Sequence, residues 1–198
     1  MACEKLLGKI TYPLNPWNTK QIFVGIRCNL SFDIVIGLRK DNHTAIELTL
    51  QQFELLQSVW KDITDYLCSE GESVHLPLIS LGRELHIINS QMFESKSVAF
   101  ENPTTKQAFF FTRPLWKEIS LLLPVFQGCF EKKMYERHNL ISCVREARNF
   151  VQNMGDTVSR EDAITHFPLE FLKKSPPCRV VHELLTYAYE ENKAWIFT

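Results

Sequence analysis

The 198 residues carry 22 Lys+Arg against 23 Asp+Glu, a formal net charge of −1, which argues against a protein that holds polyanions by bulk charge. A hydrophobic fraction of 45% and an aromatic fraction of 12% predict a packed globular core and exclude a chain disordered along its length. No apolar run approaches the roughly 18 residues of a membrane span, and MACEKLLGK lacks the apolar core of a secretory signal, so Cys3, Cys28, Cys68, Cys129, Cys143 and Cys178 read as free thiols in a reducing nuclear or cytoplasmic compartment.

In chain order, the first elements are strands at Ile22-Phe23-Val24, Ile34-Val35-Ile36 and Ile46-Glu47-Leu48. The last of these alternates apolar and polar residues, the pattern of a strand with one buried face. Thr49 follows in the position of an N-cap, where its hydroxyl accepts from a first-turn N–H. Phe53, Leu56, Val59, Ile63 and Leu67 then form a helical apolar stripe. The whole pattern returns 63 residues later. Leu85-His86-Ile87, Ser97-Val98-Ala99 and Phe109-Phe110-Phe111 supply strands, Thr112 supplies the cap, and Trp116, Ile119, Leu122, Phe126 and Phe130 supply the stripe. Pro114 fits the first turn of that second helix, whereas Pro124 is expected to kink it. One such unit rarely buries its own apolar face alone, so two copies in one chain are expected to pack as a pseudo-dimer.

From Lys133 onward the strand pattern stops. Tyr135, Leu140, Ile141, Val144, Ala147, Phe150 and Val151 predict a helix ending near Gly155, and Ser159 with Asp162 predicts a cap for a second helix over about 160–173, interrupted by Pro168. Pro176-Pro177 precedes a third helix with Val180, Val181, Leu184, Leu185 and Ala188 as its stripe. The tail Trp195-Ile196-Phe197 follows acidic residues, and either docks on a protein partner or adds a strand or plug to the core. The fold class expected is α+β: two tandem units of antiparallel strands, each followed by one long helix, plus a helical C-terminal segment. The expected organisation is 1–70 for the first repeat, 71–133 for a diverged second repeat and 134–198 for the helical segment with its aromatic tail.

Three stretches carry a family resemblance: Val24-Gly25-Ile26-Arg27, Ile34-Val35-Ile36-Gly37-Leu38-Arg39, and Ile46-Glu47-Leu48-Thr49-Leu50-Gln51-Gln52-Phe53-Glu54-Leu55-Leu56. Two apolar strands each end in Arg, and a short strand runs through a polar cap into a helix. This first copy resembles the single-stranded-DNA-binding domain of the transcriptional coactivator Positive Cofactor Four. The likeness covers about residues 21–67, and about 84–130 only through the internal repeat. It implies β-sheets that pair through their helices and hold single-stranded DNA in curved channels.

Independent chemistry points the same way, because single strands are held by aromatic faces and by cations along the phosphates. Lys20, Phe23, Arg27, Phe32, Arg39 and Lys40 are the candidate binding residues of the first copy, with Trp17 interleaved; Arg27 and Phe23 share one face of a strand by alternation. In the second copy Arg27 becomes Ser90, Arg39 becomes Asn102 and Lys40 becomes Pro103. Lys96 and Lys106 are the candidate cations left there. That copy either completes the fold or binds through other residues, such as Phe93, Lys96 and Phe100.

No phosphate-cradling glycine loop, G-x-S-x-G elbow or metalloprotease helix motif is present. Cys178, His182 and His166 are three scattered potential metal ligands without a paired C-x-x-C, a weak zinc signal. A buried thiol beside a surface histidine is the simpler reading. The expectation is therefore a non-enzymatic protein without metal or cofactor that binds single-stranded DNA or RNA in transcription or replication, as a monomeric pseudo-dimer or a homodimer, with a possible protein partner at its tail. The alternative is an assembly module that keeps the fold without binding nucleic acid.

Overall fold

The computed structural model describes residues 6–29, 31–41, 43–70, 75–92, 95–154 and 179–190. Four strands, β1 (Leu6–Pro13), β2 (Lys20–Arg27), β3 (Ile34–Lys40) and β4 (His43–Thr49), form one antiparallel sheet in that order. Helices α1 (Leu50–Ser58) and α2 (Trp60–Cys68) follow. A second antiparallel sheet, again in sequence order, holds β5 (Ile79–Ser80), β6 (His86–Met92), β7 (Ser95–Glu101) and β8 (Ala108–Thr112). It leads into α3 (Arg113–Met154), a helix of 42 residues, and the last described element is α4 (Arg179–Glu190). The protein is thus mixed α+β. No helix among the described residues is long and apolar enough to cross a membrane.

The 63-residue spacing holds from β2 to the helices. Both helices begin one residue after the repeated threonine, at Leu50 and Arg113. Thr49 closes a capping box: its Oγ1 accepts from Gln52 N–H at 3.2 Å, and Gln52 Oε1 accepts from Thr49 N–H at 2.8 Å. The two stripes have the same burial sequence. Phe53, Leu56, Ile63 and Leu67 are buried with Val59 half-buried; Trp116, Ile119, Phe126 and Phe130 are buried with Leu122 half-buried. β1 and β5 have no such correspondence.

Two helix expectations change. The first copy's helix is interrupted at Val59 (φ −103°, ψ 6°), whose N–H bonds to Leu56 C=O in a tightened turn. Ser58 Oγ donating to Leu55 C=O at 2.7 Å and the β-branch of Val59 both work against a regular turn there. In the second copy no break occurs near Lys133. α3 runs through Pro124 and on to Met154, because Glu131-Lys132-Lys133-Met134 contains only good helix formers. Leu140, Val144 and Ala147 of the expected later stripe are buried, whereas Tyr135 and Ile141 face solvent. The stripe of α4 is as expected, with Val180, Val181, Leu184 and Leu185 buried. The helix expected over about 160–173, the tail, and Cys178 and His166 lie outside the described residues.

Contacts divide the chain into two compact units: Met1–Lys9, Gly25–Ile34 and Phe130–Thr198 in one, Ile10–Val24 and Val35–Cys129 in the other. The core of the latter is aromatic. Phe100, Phe109, Phe111 and Trp116 meet at centroid distances from 4.8 to 6.2 Å, in the tilted and edge-on geometries that aromatic quadrupoles favour. Trp60 stacks on Trp116 at 4.0 Å, and the Trp116 indole N–H donates to Thr64 Oγ1 at 2.9 Å, satisfying the one polar group of a ring that is 2% exposed.

The former unit centres on Gly8, in left-handed conformation with φ 57°. Its carbonyl accepts from the buried Lys133 ammonium, which also bonds Glu136 Oε2, and its N–H donates to Glu183 Oε2 at 2.6 Å. A side chain on residue 8 would collide with Val180 and Lys133, so glycine is required for space as well as for φ.

Candidate nucleic-acid interface

The candidate site is built on the loop between β1 and β2. Leu14 N–H donates to Lys20 C=O at 2.8 Å and closes the hairpin. Inside it, Asn15 braces the turn: its Nδ2 donates to Thr19 Oγ1 at 2.7 Å, and its Oδ1 accepts from Lys20 N–H at 3.1 Å. Asn18 takes φ 57°, a conformation asparagine tolerates, and its Oδ1 accepts from Gln21 Nε2 at 2.8 Å. These bonds fix the loop backbone while its apex residue, Trp17, stays 79% exposed. An exposed indole on a braced loop is a ready stacking surface.

Behind Trp17 opens a cleft of about 600 Å³, walled by Pro13, Pro16, Pro114 and Leu115, with Lys20 and Glu118 as its charged groups. Lys20 is half-buried. Its Nζ lies 3.4 Å from Phe110 O and 5.6 Å from the centroid of the Phe109 ring. Burial, and secondly the charge of Lys40, pushes the Lys20 ammonium below the ordinary lysine range, with Asp41 offsetting part of this. Lys40 is therefore a near electrostatic neighbour. Asp41 N–H donating to Thr19 C=O at 2.9 Å ties the end of β3 to the same loop.

Arg39 precedes Lys40 at a β-bulge. The β3–β4 register runs Gly37↔Glu47 and Leu38↔Ile46, then shifts to Arg39↔Thr44 and Lys40↔His43, which re-aims the side chains beyond it. The Nε of Arg39 is shielded from solvent and has no hydrogen-bond partner among the described residues. A charged donor left in that state is costly. Among the described residues, neither Lys20, Arg39 nor Lys40 makes a salt bridge.

Of the sequence candidates, Lys20 lines the cleft with Trp17, Lys40 is its electrostatic neighbour, and Arg39 precedes Lys40 on the strand end tied to the same loop. Phe23 does not serve as an exposed stacker. Its ring is 1% exposed and occupies the space where Gly37 would carry a side chain. Phe32 is likewise buried, at 2%, and its carbonyl accepts from Arg137 Nε at 3.1 Å. Strand alternation says which residues share a face, not which face water reaches. Arg27 and Phe32 belong to the unit that holds Gly25–Ile34, and Lys20, Arg39 and Lys40 belong to the other. Lys96 is committed to Ser69, 2.7 Å from its Oγ, and lies 5.4 Å from the centroid of the Tyr66 ring. Lys106 sits in a turn with φ 59° and pairs with Glu101 at 3.7 Å. Phe100 is core, at 1% exposure, and Phe93 lies outside the described residues.

The signal for Trp17 was present in Asn15-Pro16-Trp17-Asn18: turn formers around an aromatic leave the ring no strand or helix face to bury. No protein-family model matches the chain, nor does any curated protein or solved structure.

Proposed function

We propose that the protein binds single-stranded nucleic acid, DNA or RNA, without catalysing a reaction on it, where transcription or replication exposes single strands. The observation that carries this reading is an exposed Trp17 on a braced loop that also holds Lys20 and is tied to the strand end carrying Arg39 and Lys40, cations that make no salt bridge among the described residues. Bases stack on the indole and the cations follow the phosphates, which gives little sequence preference. With three cations the logarithm of affinity should fall against the logarithm of salt with a slope of about −2. The resemblance to Positive Cofactor Four supports the same reading, with the two sheet-and-helix copies as a tandem duplication.

Fluorescence anisotropy with single- and double-stranded oligonucleotides at two salt concentrations tests it. Trp17→Ala should weaken single-strand binding about tenfold, in line with the loss of one base stack, and Lys20→Ala with Arg39→Ala should flatten the salt slope. Arg27→Ala should matter less. No single-strand binding at low salt would refute the proposal.

One observation favours the alternative of an assembly module. Leu121, Val125 and Gly128 share one face of α3; the first two are 73% and 42% exposed, and beyond the helix's own nearby backbone no atom of the described residues lies within 4 Å of where a Gly128 side chain would begin. Their counterparts 63 residues earlier are polar: Ser58, Asp62 and Asp65. On that reading the protein self-associates, and Leu121→Glu would convert a sedimenting oligomer to monomer without changing nucleic-acid affinity.

A further inference from the structure

Glu118 is out of place in a site for phosphates. It lines the same cleft as Lys20 and Trp17, is exposed, and makes no salt bridge among the described residues. A carboxylate there repels the backbone that the neighbouring cations attract. Its chemistry fits the other part of a nucleotide, because an ionised carboxylate is acceptor-only and can take two parallel N–H bonds. The walls suit a flat ring: Pro16, Pro114 and Leu115 are apolar, and Trp17 stands at the mouth. The volume of about 600 Å³ is in the range of pockets that enclose small organic ligands.

The geometry points to a guanine-selective base pocket, in which one unstacked guanine of the strand inserts behind Trp17 and presents its Watson–Crick edge to Glu118. This rests on the single-strand reading above and adds a preference to it. Guanine alone among the four DNA bases offers two adjacent donors on that edge, N1–H and the N2 amino group. Cytosine and adenine each offer one donor beside a ring acceptor that a carboxylate repels. Thymine offers one donor between two carbonyls. The flanking phosphate then falls to Lys20, which is held at the same cleft by Phe110 C=O.

The test is the affinity of the full-length protein, by fluorescence anisotropy, for a short oligothymidine carrying one central guanine, inosine, adenine or cytosine. The guanine strand should bind at least about fivefold tighter than plain oligothymidine, the least that a bidentate pair contributes to base discrimination. Inosine, which lacks the N2 amino group, should fall between. Glu118→Gln should bring the guanine-to-thymine ratio close to one, since the amide replaces one acceptor by a donor. Lys61→Ala, on the exposed face of α2, should leave the ratio as it is. Equal and measurable binding of all the strands overturns the guanine pocket and leaves the single-strand reading intact. A ratio that survives Glu118→Gln overturns the role of this residue. Absence of binding by every strand overturns both.

Discussion

Replacing Gly37 by Ala puts a methyl group onto the ring of Phe23. An added Cβ would overlap the distal ring atoms Cζ, Cε1 and Cε2, and the ring has little room to retreat, being 1% exposed. Inserting a carbon into a closed core typically costs about 1–3 kcal/mol, and the overlap with a rigid ring places Gly37→Ala near the top of that range. Phe23→Leu removes those three ring atoms and should itself cost about 1–2 kcal/mol, less than the roughly 3–5 kcal/mol of a full Phe→Ala truncation. In the Phe23→Leu background the new methyl enters the space just vacated. Gly37→Ala should then be close to neutral, or stabilising by about 0.4–1 kcal/mol through the unfolded chain. The double-mutant cycle should show coupling of about 3 kcal/mol, at the upper end of the range for residues in contact. Equilibrium unfolding in urea, followed by circular dichroism, measures all four corners. If Gly37→Ala costs as much in the Phe23→Leu background as in the wild type, the Phe23 ring does not fill the space beside Gly37. The affinity of folded Phe23→Leu for single strands should match that of the wild type, since the ring is core.

Thr49→Ala removes the hydroxyl of the capping box and should cost about 1 kcal/mol, read as a lower urea midpoint with unchanged slope. Lys133→Met leaves the Gly8 carbonyl and Glu136 without their buried partner; a loss of about 3–5 kcal/mol is expected, and a neutral result in the same urea assay would show that the ammonium is dispensable. For Lys20 the sign follows from its lowered pKa. The unfolded chain binds the proton more tightly than the folded one, so folding gains stability as pH rises through the lowered value towards 10.5. The melting temperature of wild type relative to Lys20→Met should therefore climb from neutrality towards that value, and a flat difference would show that Lys20 is not desolvated.

Much of the fold was legible in local chemistry. β2, β3, β4, β7 and β8 follow alternation or β-branched runs, and both helices start where a threonine cap precedes a 3.6-residue stripe. β1 was not legible, because Gly8 interrupts it in left-handed conformation. Nor was β5, whose two residues, Ile79 and Ser80, carry no pattern. The site was half legible. Cations at strand ends stood out, but the fate of each depended on partners distant in sequence. Lys96 reaches back to Ser69, and Lys133, which in the sequence only marks the end of the strand pattern, finds Gly8 on the first strand. Phe23 could not be placed without knowing that a glycine on the neighbouring strand makes room for its ring.

The two copies differ most where the cations lie, and the backbone gives the reason. β3 continues through Arg39 and Lys40, paired with Thr44 and His43 beyond the bulge. At the equivalent place β7 ends at Glu101, after an unbroken register from Ser97↔Thr112 to Glu101↔Ala108. The residues that would correspond to Arg39 and Lys40 are Asn102 and Pro103. Asn102 folds the chain back: its Oδ1 accepts from the N–H groups of Thr104 and Thr105 at 2.9 and 3.0 Å, and its carbonyl accepts from Lys106 N–H at 2.9 Å. Pro103 has no N–H with which to extend a strand. The cation of that turn, Lys106, is offset by Glu101. A strand end opposite a bulge in its partner therefore presents cations that make no salt bridge among the described residues in the first copy, where the second has a self-satisfied turn. The hairpins before them diverge in the same sense: Leu14 to Lys20 spans a loop long enough to hold Trp17 at its apex, while Leu81 bonds Leu85 in a tighter one. Both differences remove from the second copy the groups that would hold a strand, while its aromatic core and its helix stripe are kept. On the proposed single-strand reading, the first copy would then hold the strand and the second would support the fold.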